Sequence, residues 1–144
     1  LMALKERYLD KPSPCFLSRP PNGYVFKSEG NSVAPLTIRT PNYGKDFFIK
    51  VVTPISNESV KEFYVRSGMT IKTEIPLGKY LIKYAAGEYW IGEYNLFGIN
   101  TIYSKADKIF DFYASGNQIS GYTVELILQQ GGNLSTSKLN ENDF

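Results

Sequence analysis

The stretch "APLTIRTPNYGKDFFIKVVT", residues 34–53, carries two apolar alternations separated by a turn. Leu36 and Ile38 fall on one side of the first run, because successive side chains of an extended chain point to opposite faces. Pro41-Asn42-Tyr43-Gly44 supplies residues that favour turns. The second run sets Phe47, Ile49 and Val51 against Phe48, Lys50 and Val52. A strand apolar on both faces belongs in the middle of a sheet, so residues 46–53 are expected to be central.

The same grammar recurs downstream. In "VKEFYVRS" Phe63 and Val65 oppose Glu62, Tyr64 and Arg66, and after Gly68 "MTIKTEI" keeps Met69, Ile71, Thr73 and Ile75 on one face. Thr70, Lys72 and Glu74 are then left for solvent, the pattern of a one-sided strand. "KYLIKYA", "DKIFDFY" and "GYTVELILQ" alternate in the same way. About seven short strands without a convincing helix between them predict an all-β fold, an antiparallel sandwich or small barrel. The expected core is Phe47, Ile49, Val51, Ile71, Ile82, Val124 and Leu126. Ahead of it, Leu1, Leu4 and Tyr8 have helical spacing, and Pro12, Pro14, Pro20 and Pro21 then hold the chain extended. Residues 1–33 are therefore expected to form a short helix and a proline-rich strap, and residues 34–144 the sandwich.

Composition narrows the chemistry. The 144 residues contain no histidine and one cysteine, Cys15. The commonest general base and metal ligand, every Ser-His or Cys-His pair and any internal disulfide are thereby excluded. Sixteen basic against fourteen acidic residues, interspersed along the chain, give no footprint for nucleic acid. No apolar run approaches the roughly 20 residues of a membrane-spanning helix. The opening Leu1-Met2 is compatible with a longer parent carrying an anchor, and the compartment is left open. Neither a cofactor nor a catalytic residue is expected.

The most specialised stretch is "YAAGEYWIGEYNLFG", residues 84–98, with five aromatic residues, three glycines and the only tryptophan. Tyr84, Tyr89, Trp90, Tyr94 and Phe97, oriented by Glu88 and Glu93, would suit a platform that stacks on a sugar or clamps a peptide. The same rings would equally plug one end of the sandwich, with polar tips left wet. Gly87 and Gly92 bracket a bend, so the expectation is that Trp90 is buried while Tyr89 and Tyr94 are accessible. The tail "QQGGNLSTSKLNENDF" suggests a Gly-Gly turn followed by a short strand or helical turn packed by Leu139 and Phe144, or else a flexible end.

The spacing Gly78-x-Tyr80-x-x-x-Tyr84-Ala85-x-Gly87-x-x-Trp90-x-Gly92-x-x-x-Leu96-Phe97-Gly98, followed by Thr101-x-Tyr103-x-Lys105, Gly131-Gly132-Asn133-Leu134 and Phe144, resembles a family of uncharacterised bacterial domains. The resemblance spans about residues 35–144. That family carries Trp-Tyr-Gly where this chain has Trp90-Ile91-Gly92, so one ring is missing here. The resemblance implies bacterial or phage origin and a compact accessory domain; it brings no activity, cofactor or site.

Three classes of function are compatible with this sequence. The first is a non-catalytic interaction module that binds a protein partner or its own copies through a strand edge or the 84–98 corner. The second is a carbohydrate-binding module, which requires a planar exposed row of tyrosines. The third is a hydrolase using two of Glu88, Glu93, Asp107 and Asp111, which requires a carboxyl pair about 5 to 9.5 Å apart in a cleft. The interaction module is the leading expectation, and a small-molecule ligand is not assigned.

Overall fold

A computed structural model describes residues 18–126 and 136–144, with only the backbone of Thr136. The helical spacing of residues 1–8 and Cys15 lie outside the described residues. The strands are β1 (Val25–Ser28), β2 (Ser32–Arg39), β3 (Asp46–Val52), β4 (Ser59–Val65), β5 (Thr70–Pro76), β6 (Gly78–Gly87), β7 (Ile102–Ala106), β8 (Phe110–Phe112), β9 (Ala114–Ser115), β10 (Gln118–Ile119), β11 (Tyr122–Glu125) and β12 (Thr136–Lys138). Two 3-10 turns, Gly98–Asn100 and Glu141–Asp143, complete them.

The larger sheet runs β1-β4-β3-β6-β7-β12, with β8 also paired to β6. β7 takes residues 83–86 of β6 and β8 takes residues 78–80. β3 lies between β4 and β6, as its two apolar faces require. The smaller sheet runs β11-β2-β5 and packs across the larger one as an open sandwich, not a closed barrel. One pair departs from the antiparallel expectation: β11 runs parallel to β2, with Tyr122 to Glu125 beside Leu36 to Arg39. Alternation shows which face a strand buries but not its direction, so this pairing left no mark in the pattern.

Between the sheets lie Leu36, Ile38, Phe47, Ile49, Val51, Phe63, Val65, Ile82, Tyr84, Phe110, Phe112, Val124 and Leu126, all buried. Truncating a fully buried residue of this kind typically costs about 2 to 5 kcal/mol. Ile71 corrects the expected core, being only half-buried. Burial rises along that face from the exposed Met69, just before β5, to the buried Ile75 at its far end, and Ile71 lies near the open end. The boundary expected between residues 33 and 34 falls within β2, and the chain has already joined the larger sheet at β1. No helix among the described residues is long and apolar enough to cross a membrane.

The outer face of the larger sheet has its own apolar cluster: Phe48, Tyr64, Ala85, Trp90, Leu96 and Phe97, with Phe26, Tyr103 and Phe144 against it. Phe48 and Tyr64 are buried there because the chain after β6 folds back over the sheet. That covering layer contains the candidate site.

Candidate functional site

Gly87 ends β6, and a side chain there would be impossible without movement: its Cβ would lie 2.2 Å from the Phe97 Cβ. The glycine therefore lets Phe97 close onto the sheet. Between them the loop is tied by Ile91 N–H donating to the Leu96 carbonyl at 2.8 Å and Leu96 N–H donating to the Gly92 carbonyl at 2.7 Å. Leu96, at φ 54°, occupies the left-handed region, a cost that a loop so fixed can hold. Phe97 N–H donates to Thr101 Oγ1 at 3.1 Å, which closes the far end.

This geometry drives Trp90 inward. Its ring lies 5.4 Å from Phe26, 5.8 Å from Phe48, 5.2 Å from Tyr64 and 5.5 Å from Phe97 between centroids, and 7% of the residue is exposed. Tyr89 and Tyr94 point away, 76% and 99% exposed. Six candidate residues are thus dispersed over three environments. Trp90 and Phe97 are the plug, and Glu88, Tyr89 and Tyr94 are surface. Tyr84 corrects the platform reading, since it belongs to the inter-sheet core, 5.7 Å from Phe47 ring to ring, and cannot reach a ligand at the corner.

Several depressions surround the plug. One, of about 300 Å³, is lined by Pro20, Pro21, Tyr24, Phe26 and Trp90 together with Arg19 and Glu93. A second, of about 500 Å³, has Gly44, Ser67, Glu88 and Tyr89 around Arg19 and Asp46. Tyr94 lines a third, of about 320 Å³, with Phe48, Lys50 and Phe144. Tyr89 and Tyr94 therefore serve different depressions and form no shared row.

The strap residues were missed as site components. Their signals were the Asn22-Gly23 turn dipeptide and the period-two spacing of Tyr24 and Phe26, a strand signature hidden behind four prolines. Gly23 takes φ +84° and donates its N–H to the Tyr64 carbonyl at 2.7 Å. Arg66 Nε donates to the Pro20 carbonyl at 2.8 Å, and Arg66 N–H to Asn22 Oδ1 at 2.9 Å. These bonds hold the wall of the first depression.

Asp46 is the buried carboxylate among the described residues. It accepts from Arg19 Nε at 2.6 Å and Nη2 at 2.8 Å, from Tyr64 Oη at 2.7 Å and from Ser67 N–H at 2.8 Å. Burial alone would raise its pKa, but these donors hold it below the ordinary carboxylate value. Burial, reinforced by Asp46, pushes the Tyr64 hydroxyl in the opposite direction, well above the usual phenol range. With each carboxylate oxygen accepting two donors, the group is occupied as a clasp between strap and sheet.

The hydrolase carboxylates are not assembled into a cleft. Glu88 and Glu93 are exposed on the loop, with Glu88 3.5 Å from Lys45. Asp107 is exposed after β7 and accepts a hydrogen bond from Ser137, while Asp111 lies on β8. Among the described residues no three metal-ligating side chains come together. Comparison of the chain with protein-family models, characterised proteins and solved structures gives no match.

Proposed function

We propose that this chain is a non-catalytic interaction module that recognises an extended segment of a protein partner at the corner formed by the strap and the 88–97 loop. The observation that carries this reading is the groove lined by Pro20, Pro21, Tyr24, Phe26 and Trp90, with the charged Arg19 and Glu93 also in its lining. An apolar, ring-lined groove with two opposite charges suits a peptide, whose apolar side chains meet the rings while its polar groups meet the charges. Tyr24, half exposed in the groove wall, is its accessible ring and the residue type enriched where binding energy concentrates. A sugar-stacking role is disfavoured because the exposed Tyr89 and Tyr94 border separate depressions. The affiliation with uncharacterised bacterial accessory domains remains part of this proposal and agrees with a module that lacks chemistry of its own.

Selection of a displayed random-peptide library on the immobilised protein tests the reading, with a Tyr24→Ala variant as counter-target. Enriched peptides should bind wild type and lose at least tenfold on the variant. Failure to enrich any sequence, or enrichment of sequences that bind both proteins equally, would overturn it. Binding of oligosaccharides instead would move the assignment to the second class.

A further inference from the structure

Along the groove formed by strap and loop, most main-chain carbonyls are already engaged. The Arg19 and Pro20 carbonyls accept from Arg66 Nη2 at 3.4 Å and Nε at 2.8 Å, and the Pro21 carbonyl accepts from Tyr24 N–H at 3.1 Å. Just before β1, the Tyr24 carbonyl accepts from Tyr64 N–H at 2.9 Å, and in the loop the Gly92 carbonyl accepts from Leu96 N–H at 2.7 Å. Pro20 and Pro21 bring no N–H of their own. Little is left of the ladder on which capture by strand addition depends.

What the groove offers instead is rings and two uncommitted polar groups. Tyr24, Phe26 and Trp90 follow one another, 4.9 Å between the first two ring centroids and 5.4 Å between the next two. Only 7% of Trp90 is exposed, yet its indole N–H meets no acceptor among the described residues. A Trp so nearly buried usually places that group on a partner. Nor is the N–H sealed inside, since the one sealed side-chain polar atom without a partner among the described residues is the Ser32 hydroxyl. Its acceptor therefore comes from outside the chain. Of the two charges, Arg19 is taken up by both oxygens of Asp46, at 2.6 and 2.8 Å. Glu93 is exposed and forms no ion pair among the described residues. The uncommitted charge in the lining is thus negative.

We infer that the occupant is a proline-rich segment in the polyproline II conformation with a Lys or Arg beside its prolines, an inference that rests on the peptide-binding reading of this groove. Such a segment makes no hydrogen bonds of its own and has no N–H at its prolines, so it seeks donors and needs no ladder. Trp90 Nε1–H and the Tyr24 hydroxyl donate to its carbonyls, while its pyrrolidine rings lie against the aromatic faces. Charge complementarity fixes the basic residue, which meets Glu93. At about 300 Å³ the groove holds only a short stretch of chain. A ligand whose backbone is ordered before binding loses the least on entering so small a site.

Anisotropy titrations of the full chain with three fluorescent synthetic peptides at low salt provide the test. RPPPPPPR should bind at least tenfold more tightly than RVTVTVTR, which carries the same charge but favours a strand, and at least threefold more tightly than EPPPPPPE. Glu93→Gln should remove the preference of RPPPPPPR over EPPPPPPE. Trp90→Phe keeps a ring in the plug without its N–H and should weaken RPPPPPPR at least fivefold. Should Trp90→Phe lose its fold, the half-exposed Tyr24 serves instead, and Tyr24→Ala should weaken the same peptide at least tenfold. The inference is overturned by failure of RPPPPPPR to bind, by equal affinity for RVTVTVTR, by a charge preference that survives Glu93→Gln, or by binding indifferent to Tyr24→Ala. Selection of proline-free peptides that depend on Tyr24 would sink this inference and leave the broader peptide reading standing, whereas a groove that takes no peptide of any class sinks both.

Discussion

Replacing Trp90 by Ala separates a plug from a platform. Its ring is nearly buried and meets four other rings at 5.2 to 5.8 Å. Truncating a buried Trp costs about 3 to 5 kcal/mol through lost transfer energy and the cavity left behind. Relaxation does not lower the bill much, because the loop that could collapse is pinned by the Ile91 and Leu96 hydrogen bonds. If the loop lifts instead, Phe48 and Tyr64 are uncovered at similar expense. For 144 residues an unfolding entropy of about 2.1 cal/mol/K per residue converts this to a fall in Tm of roughly 10 to 17 °C. By contrast, Tyr89 and Tyr94 are exposed, and replacing both by Ala should cost no more than about 1 kcal/mol, or about 3 °C. Thermal unfolding followed by far-UV circular dichroism measures both. A harmless Trp90→Ala beside an unfolded double variant would show that core and surface are assigned the wrong way round.

Other expectations follow from single contacts. Gly87→Ala should cost about 1 to 3 kcal/mol in urea unfolding, since the new methyl meets the Phe97 Cβ and Cγ, and Phe97→Ala in the same chain should not restore stability, because alanine keeps the Cβ that makes the closest contact. The depressed pKa of Asp46 means that its contribution is complete above the unfolded value, about 4, and is lost as pH falls through the lower folded value. Asp46→Asn should therefore be destabilised at pH 6, and its stability should fall less than that of wild type between pH 4 and 2; parallel curves would exclude the clasp. Hydrogen exchange should be slowest for β3 and β6, at the centre of the larger sheet, and faster for Leu96, Leu139 and Asp143, whose amide bonds lie in the covering segments.

Period two was enough to find the inter-sheet core, because burial between two sheets imposes alternation directly on each strand. Phe47, Ile49, Val51, Ile82, Val124 and Leu126 are buried as that pattern required. Ile71 was overestimated because alternation reports a face and not how far along a strand the cover extends: on the same face Met69 is exposed and Ile75 buried. The outer layer was less legible for a different reason. Tyr64 shares a face with Glu62 and Arg66, the mark of a wet surface, yet it is buried beneath a loop distant in sequence. Arg19 and Asp46 meet across 27 positions, and nothing in local spacing announces such a partner. The glycines of residues 84–98 did reveal the bend, since close approach of Phe97 to backbone leaves no alternative residue at position 87.

The two faces of the larger sheet thus solve different problems. The inner face is closed by another sheet, whose backbone is fixed by its own ladder, and it contributes stability without offering a surface. The outer face is closed piecemeal by the strap at residues 19–26, the loop at 88–97 and the segment at 139–144. Each cover is short and held by a handful of bonds, so each can lift at far less cost than separation of the sheets. Recognition requires a surface that can be uncovered or shared. This places the proposed function of the chain on its outer layer, at the groove where strap and loop meet.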